Sequence, residues 1–226
     1  RIQIAVVSRL RDTYHFWIKG VKSVISASPM RCILGLGVCM AILVGCSANP
    51  SQGKIPPANM DKDTLSLFVE DDTLYLSGVL TSQLPSQLKS VLTEHPNVTD
   101  VVLVDVPGST DQLAVMEAAR MLRYLEMKTH IARTGYVLSG GVDLFLGGVD
   151  RTIGAGAGVG VHSWRDTQDW GDEVNLNDPV HASYLNFYLE MGVPERFYWF
   201  TLDAAPAERV YFLSPEEIYD YQLVTD

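Results

Sequence analysis

The chain has 226 residues, 47% of them hydrophobic, and a formal charge of −10. That is enough apolar material for one domain with a substantial core and not clearly enough for two. Residues 1–45 hold six basic side chains against Asp12 alone, so the remainder carries 11 basic and 26 acidic residues, a balance of −15. A surface of that sign repels phosphate backbones and anionic headgroups, which excludes nucleic acid as an expected partner.

All three cysteines, Cys32, Cys39 and Cys46, lie in one apolar segment near the N-terminus. The body of the chain therefore has no disulfide framework, no thiolate metal site and no cysteine nucleophile. Arg31 is followed by a short apolar run ending in small residues, the pattern of a secretory signal and too short to span a bilayer comfortably. Leu43-Val44-Gly45-Cys46 resembles the bacterial lipobox. That resemblance implies that Cys46 is lipidated, becomes the first mature residue and anchors the protein to a membrane of the cell envelope. Met30 would serve as the start of this signal, and residues 1–29 are either an extended basic region or an upstream addition. The expected organisation is thus an N-terminal extension and signal over 1–45, a polar tether over 46–62 and one domain over 63–226.

Within that domain, 65–70 and 73–78 read as strands about the Asp71-Asp72 turn. Residues 84–92 have helical spacing and stop at His95-Pro96-Asn97. Residues 101–105 form a continuous apolar run, as a buried parallel strand does. Residues 111–126 place Leu113, Met116, Ala119, Leu122 and Leu125 on one helical face. A short strand is expected at 130–133, a helix opening at Ser139, and a strand at 159–162. Two aromatic-rich helices follow at 180–191 and 194–202. The segment from Phe212 reads as a helix start, with Ser214 as N-cap and Glu217 completing a capping box. Alternation of this kind predicts an α/β domain with a mainly parallel central sheet and flanking helices.

The glycine run Gly154 to Gly160 fails the dinucleotide and phosphate-loop patterns, and tight backbone packing is its simpler reading. No pair of histidines has metal-ligand spacing, so no metal is expected, and no cofactor is implied. The aromatic stripe Phe187, Tyr188, Phe197, Tyr198, Trp199, Phe200 is most simply core or an oligomer contact, with substrate binding second.

Chemistry concentrates between Gly135 and Trp164. Ser139 stands where an apolar strand meets Gly140-Gly141, and His162 ends the next strand. A nucleophile and a base at neighbouring strand ends can build an acyl-transfer site. Taken singly, Ser139 is as readily a helix N-cap and His162 a structural strand-end histidine. Asp143, one turn into the serine helix, suits the helix dipole and needs no functional role.

The order of these parts resembles the proteolytic subunit of the Clp protease, within the crotonase-like superfamily, as a secreted bacterial lipoprotein member. The resemblance covers about Leu74 to Val224. It rests on Leu74-Tyr-Leu-Ser-Gly-Val, Val106-Pro-Gly-Ser109, Leu138-Ser-Gly-Gly141, Val161-His-Ser163 and Phe212-Leu-Ser-Pro-Glu-Glu-Ile-Tyr-Asp-Tyr-Gln-Leu-Val. It implies Ser139 as nucleophile, His162 as base, and the backbone N–H groups of Ser109 and Gly140 as the oxyanion hole. The acidic member is the departure: the family's position is Val210 here, and Asp203, ahead of Glu208, is the expected substitute. Ser109 also stands where the family has a second glycine. A serine–lysine dyad with a downstream lysine is excluded, because Lys128 is the last lysine in the chain. The implied function is a lipid-anchored serine hydrolase of the cell envelope acting on a peptide or ester, with a homo-oligomer possible. The competing expectation is an inactive envelope lipoprotein that uses the fold as a binding or assembly module. Acyl-thioester chemistry ranks last, since nothing basic is arranged for coenzyme A phosphates.

Overall fold

The computed structural model describes residues 64–225. The signal segment, the expected lipidation site Cys46 and the tether lie outside the described residues. No helix among the described residues is long and apolar enough to cross a membrane.

A hairpin opens the domain, with β1 (Ser66–Glu70) antiparallel to β2 (Thr73–Ser77). Asp71 takes a positive φ of 54° at the turn, a conformation that aspartate tolerates better than most residues. β2 then lies parallel to β3 (Asp100–Val106), and β3 parallel to β4 (Lys128–Leu138). β5 (Arg151–Ile153) and β6 (Gly158–Val161) both pair in parallel with β4, and β7 (Tyr211–Phe212) closes the far edge antiparallel to β6. The seven strands run β1-β2-β3-β4-β6-β7, with β5 beside β4. The expected α/β domain with a mainly parallel sheet is therefore observed. Crossover helices explain why β2 is buried at every position and β3 over most of its length.

Three helices flank the first crossovers: α1 (Leu84–Glu94), α2 (Gln112–Tyr124) and α3 (Gly140–Leu146). α1 buries Leu84, Leu88 and Leu92, the four-residue spacing that faces one sheet surface. The Asp111 side chain caps α2 by accepting the Ala114 N–H at 3.0 Å. α3 is buried along its whole length, which explains its almost wholly apolar sequence. Two aromatic-rich helices, α4 (Pro179–Glu190) and α5 (Glu195–Ala204), pack together over its far side, and α6 (Pro215–Asp220) ends the domain. The capping box at Ser214 and Glu217 forms as read.

Three readings change. The strand expected at 130–133 runs from 128 to 138, because β4 serves two partners in succession: 129–131 pair with β5 and 136–138 with β6. Its register against β3 shifts between Leu103 and Asp105, so the extra residues bulge and Thr134 takes a φ of 59°. Phe212 lies in β7 and not in a helix. Leu113 is 73% exposed, because it shares the outer face of α2 with Glu117, Arg120 and Tyr124, while Ala114, Val115 and Met116 beside it are buried.

The glycine run packs as its simpler reading has it. A Cβ at Gly160 would stand 2.4 Å from Val210 Cγ1 and 2.7 Å from Leu138 Cδ2, and one at Gly158 would stand 2.7 Å from the Tyr136 ring. The domain's end is pinned by Arg151, which is 3% exposed. Its guanidinium donates to the carbonyls of Leu223, Gly148, Met191 and Gln222 at 2.8 to 3.1 Å. Burial pulls its pKa down to about 10, with the Arg123 charge as the smaller cause.

Candidate active site

Ser139 sits between the last residue of β4 and the first of α3, with φ 53° and ψ −126°. A side chain in that conformation is strained by about 1–3 kcal/mol, and it persists only where the surroundings impose it. Here the Ser139 N–H donates to the Gly160 carbonyl at 2.9 Å and its own carbonyl accepts from Val142 N–H at 2.8 Å. The backbone is thus held at both ends. Its hydroxyl makes no capping bond to α3. The N-cap alternative is set aside by that geometry, and the turn has the sharp strand-to-helix form that lifts a nucleophile out of a sheet.

β6 lies beside the same end of β4, with Leu138 opposite Gly160, so His162 emerges next to Ser139. Both residues line one cavity of about 40 Å³, more than the 10–15 Å³ that a single water needs. The His162 ring bonds through Nδ1 to the Ser163 carbonyl at 2.7 Å. A carbonyl only accepts, so Nδ1 carries the proton and Nε2 is left as the basic nitrogen. Ser163 is itself fixed. It is fully buried, its N–H donates to the Ala205 carbonyl at 2.8 Å, and its Oγ exchanges 3.0 Å bonds with Asp172.

The expected acid does not join this pair. Asp203 is exposed on α5 and absent from the cavity lining, and His162 Nδ1 is occupied by the Ser163 carbonyl. Glu208 is half exposed and stands 4.0 Å from Arg165. One step beyond the Val161–Tyr211 pair of β6 and β7, His162 falls opposite Val210, whose methyl group covers Gly160. The residue opposite His162 across this edge is therefore a valine and supplies no carboxylate.

Ser109 and Gly140 do come together. A Cβ on Gly140 would stand 2.4 Å from Ser109 Oγ, and one on Gly108, whose φ is 142°, would stand 3.4 Å from Ser139 Cβ. Only glycine fits easily at either place. The Gly108 carbonyl accepts from Leu80 N–H and the Thr110 N–H donates to the Leu80 carbonyl. By strand alternation the Ser109 N–H faces away from Leu80. The substituted serine does not crowd the loop, because its Oγ donates to Gln112 Oε1 at 3.2 Å.

The sequence reading missed a buried polar chain along this wall. Gln112 Nε2 donates to Asp143 Oδ2 at 2.6 Å, and the Tyr188 hydroxyl donates to Asp143 Oδ1 at 2.8 Å. Burial pushes the Asp143 carboxyl up to about 6, and the two hydrogen bonds only partly oppose it. Asp143 is the one polar side chain in the otherwise apolar α3, and that was the signal available. Removing one donor should move the midpoint further. In Gln112→Leu, the Asp143 carboxyl should titrate above about 6, read by its side-chain ¹³C shift; an unmoved midpoint overturns the assignment of that bond.

The aromatic stripe divides its work. Phe187 and Phe197 are fully buried core, while Tyr188 and Tyr198 also line the cavity with Trp164 and Tyr184. Trp164, Tyr184 and Tyr198 stack in a ladder at centroid spacings of 5.6 and 5.0 Å. The Trp164 Nε1–H donates to the Tyr198 oxygen at 3.0 Å, and that hydroxyl meets His181 Nδ1 at 2.6 Å inside α4. His130 lies within β4, as the strand expected at 130–133 has it, and bonds Asp100 and Thr152. No group of three or more potential ligands for a metal ion occurs among the described residues.

No family model and no curated protein matches this chain. Solved structures do. The chain is similar to a membrane protease specific for a stomatin homolog from Pyrococcus horikoshii, at 15% identity over 70% of this chain and 73% of that one, TM-score 0.43. It is similar to enoyl-CoA hydratases from Mycobacterium marinum (15%, 71% and 75%, TM-score 0.45) and Mycobacterium ulcerans (14%, 71% and 75%, TM-score 0.44). The likeness stops at the fold: one neighbour is a protease and the others are hydratases, so the reaction has to be argued from the side chains.

Proposed function

We propose that this protein is a serine hydrolase of the bacterial cell envelope, acting on peptides or esters and held to its membrane through Cys46. The observation that carries the reading is the Ser139 turn: a strained serine with an uncapped hydroxyl, sharing a cavity with an imidazole whose Nδ1 proton is already committed. In this reading His162 Nε2 takes the Ser139 hydroxyl proton as the oxygen attacks the acyl carbon, and returns it to the leaving group. The N–H groups of Ser109 and Gly140 receive the developing oxyanion. The Ser163 carbonyl orients the ring in place of an acid. It supplies orientation but no full negative charge for the imidazolium, so catalysis is that of a dyad and slower than that of a complete triad.

A fluorophosphonate probe tests this directly. The wild-type protein should label covalently, Ser139→Ala should not label at all, and His162→Ala should label at least a hundredfold more slowly. A folded wild-type protein that takes no label points to the inactive binding or assembly module instead. The anchor has its own test. Cys46→Ser should move the protein from the membrane fraction to the soluble fraction, and persistent membrane association sinks the lipid-anchor reading.

A further inference from the structure

The cavity beside Ser139 contains a feature that acyl transfer does not use. The geometry points to a subsite for a primary ammonium group on an alkyl stem, with the Asp143 carboxylate as its counter-ion. This rests on the hydrolase reading for the identity of the substrate, but the ammonium site stands on its own geometry.

Asp143 is buried and lines the cavity with Ser139 and His162. No Lys or Arg among the described residues lines that cavity. The influences on the Asp143 carboxyl are burial and two hydrogen bonds from neutral groups, Tyr188 and Gln112, with no cation among them. A buried carboxylate usually has a charged partner, and one without it in a cleft marks a functional site. Its two bonds leave further lone pairs open, since an ionised carboxylate offers about four acceptor directions. The Thr201 hydroxyl, which donates to the Tyr198 carbonyl at 2.7 Å, is in the same lining and keeps lone pairs of its own.

Trp164, Tyr184 and Tyr198 turn their faces to one another in the ladder, so they offer an alkyl stem a shaped wall more than cation–π attraction. Ser139 and Asp143 line the same cavity, so a substrate whose acyl carbon is at Ser139 would bring a short basic side chain toward Asp143. The acidic exterior, −15 over residues 46–226, attracts such substrates from solution.

Two measurements decide this. In the first, the wild-type protein is titrated with n-butylammonium and with the uncharged n-butanol while the Asp143 side-chain ¹³C resonance is followed. Butylammonium should bind at least tenfold more tightly than butanol and lower the Asp143 midpoint from about 6; Asp143→Asn should remove the difference. In the second, thiobenzyl esters of lysine and norleucine are compared. Lysine should show at least tenfold higher kcat/KM, and the ratio should fall toward one in Asp143→Asn. Equal binding of amine and alcohol, or a lysine preference that survives Asp143→Asn, overturns the subsite. If neither ester turns over and Ser139 takes no fluorophosphonate, the hydrolase reading has failed, and the amine titration alone then decides the ammonium site.

Discussion

Arg151→Leu should cost about 3–5 kcal/mol of folding stability, read as a fall in the urea midpoint at unchanged slope. The guanidinium supplies donors to four carbonyls at the meeting point of the α3 exit, the end of α4 and the C-terminal turn. Gly148 keeps a second donor in Arg123 Nη1 at 3.2 Å. Those of Leu223, Met191 and Gln222 lose theirs, and each buried orphan costs roughly 1–3 kcal/mol. Leucine matches the apolar stem and not the donors. Arg151→Lys should recover only part of the loss, because one ammonium has no planar fork to spread over carbonyls from three segments. A leucine variant within about 1 kcal/mol of wild type contradicts the pinning role.

Asp143→Asn should stabilise the protein at neutral pH and flatten part of its stability profile. An unfolded aspartate titrates near 3.8 and the buried one near 6. Below the first value both states are protonated and burial of the carboxyl carries no charge penalty. Between the two values the unfolded chain ionises first, so stability falls as pH rises through this window. Above about pH 6 the loss is complete, on the order of 3 kcal/mol at about 1.4 kcal/mol per unit. Asparagine removes the ionisation. Its carbonyl keeps the Tyr188 bond, and a flip of the Gln112 amide lets Gln112 Oε1 accept from the new amide. The difference between wild type and variant, measured by chemical denaturation from pH 3.5 to 7.5, should grow through the window and then level off. A difference that stays constant across the range refutes the buried, ionisable state of Asp143.

Much of this architecture is legible in the chain. Apolar runs at 101–105, the turn at Asp71-Asp72 and the capping box at Ser214 are local signals, and each yields its element. Ser139 and His162 are legible because a strand end is where a parallel sheet presents side chains to a cleft. What escaped depends on contacts between distant segments. β5 and β7 have three and two residues and exist only because β4 and β6 offer them edges. The partner of His162 is a main-chain oxygen, which no residue type announces. The expected carboxylate, Asp203, stands in solvent at the end of α5. Asp143 was visible as a residue but not as a buried one, since burial on that face is imposed by Gln112 from α2 and Tyr188 from α4.

The Ser163 oxygen carries a lasting implication for how this domain can vary. Every residue type brings the same carbonyl, so no coding change at one codon deletes the atom that steers the imidazole; change can only shift the loop that holds it. Position 210 is thereby released from any duty to be acidic. Exchange of Val210 for another hydrophobic residue should therefore leave the ring beside Ser139 in the same orientation.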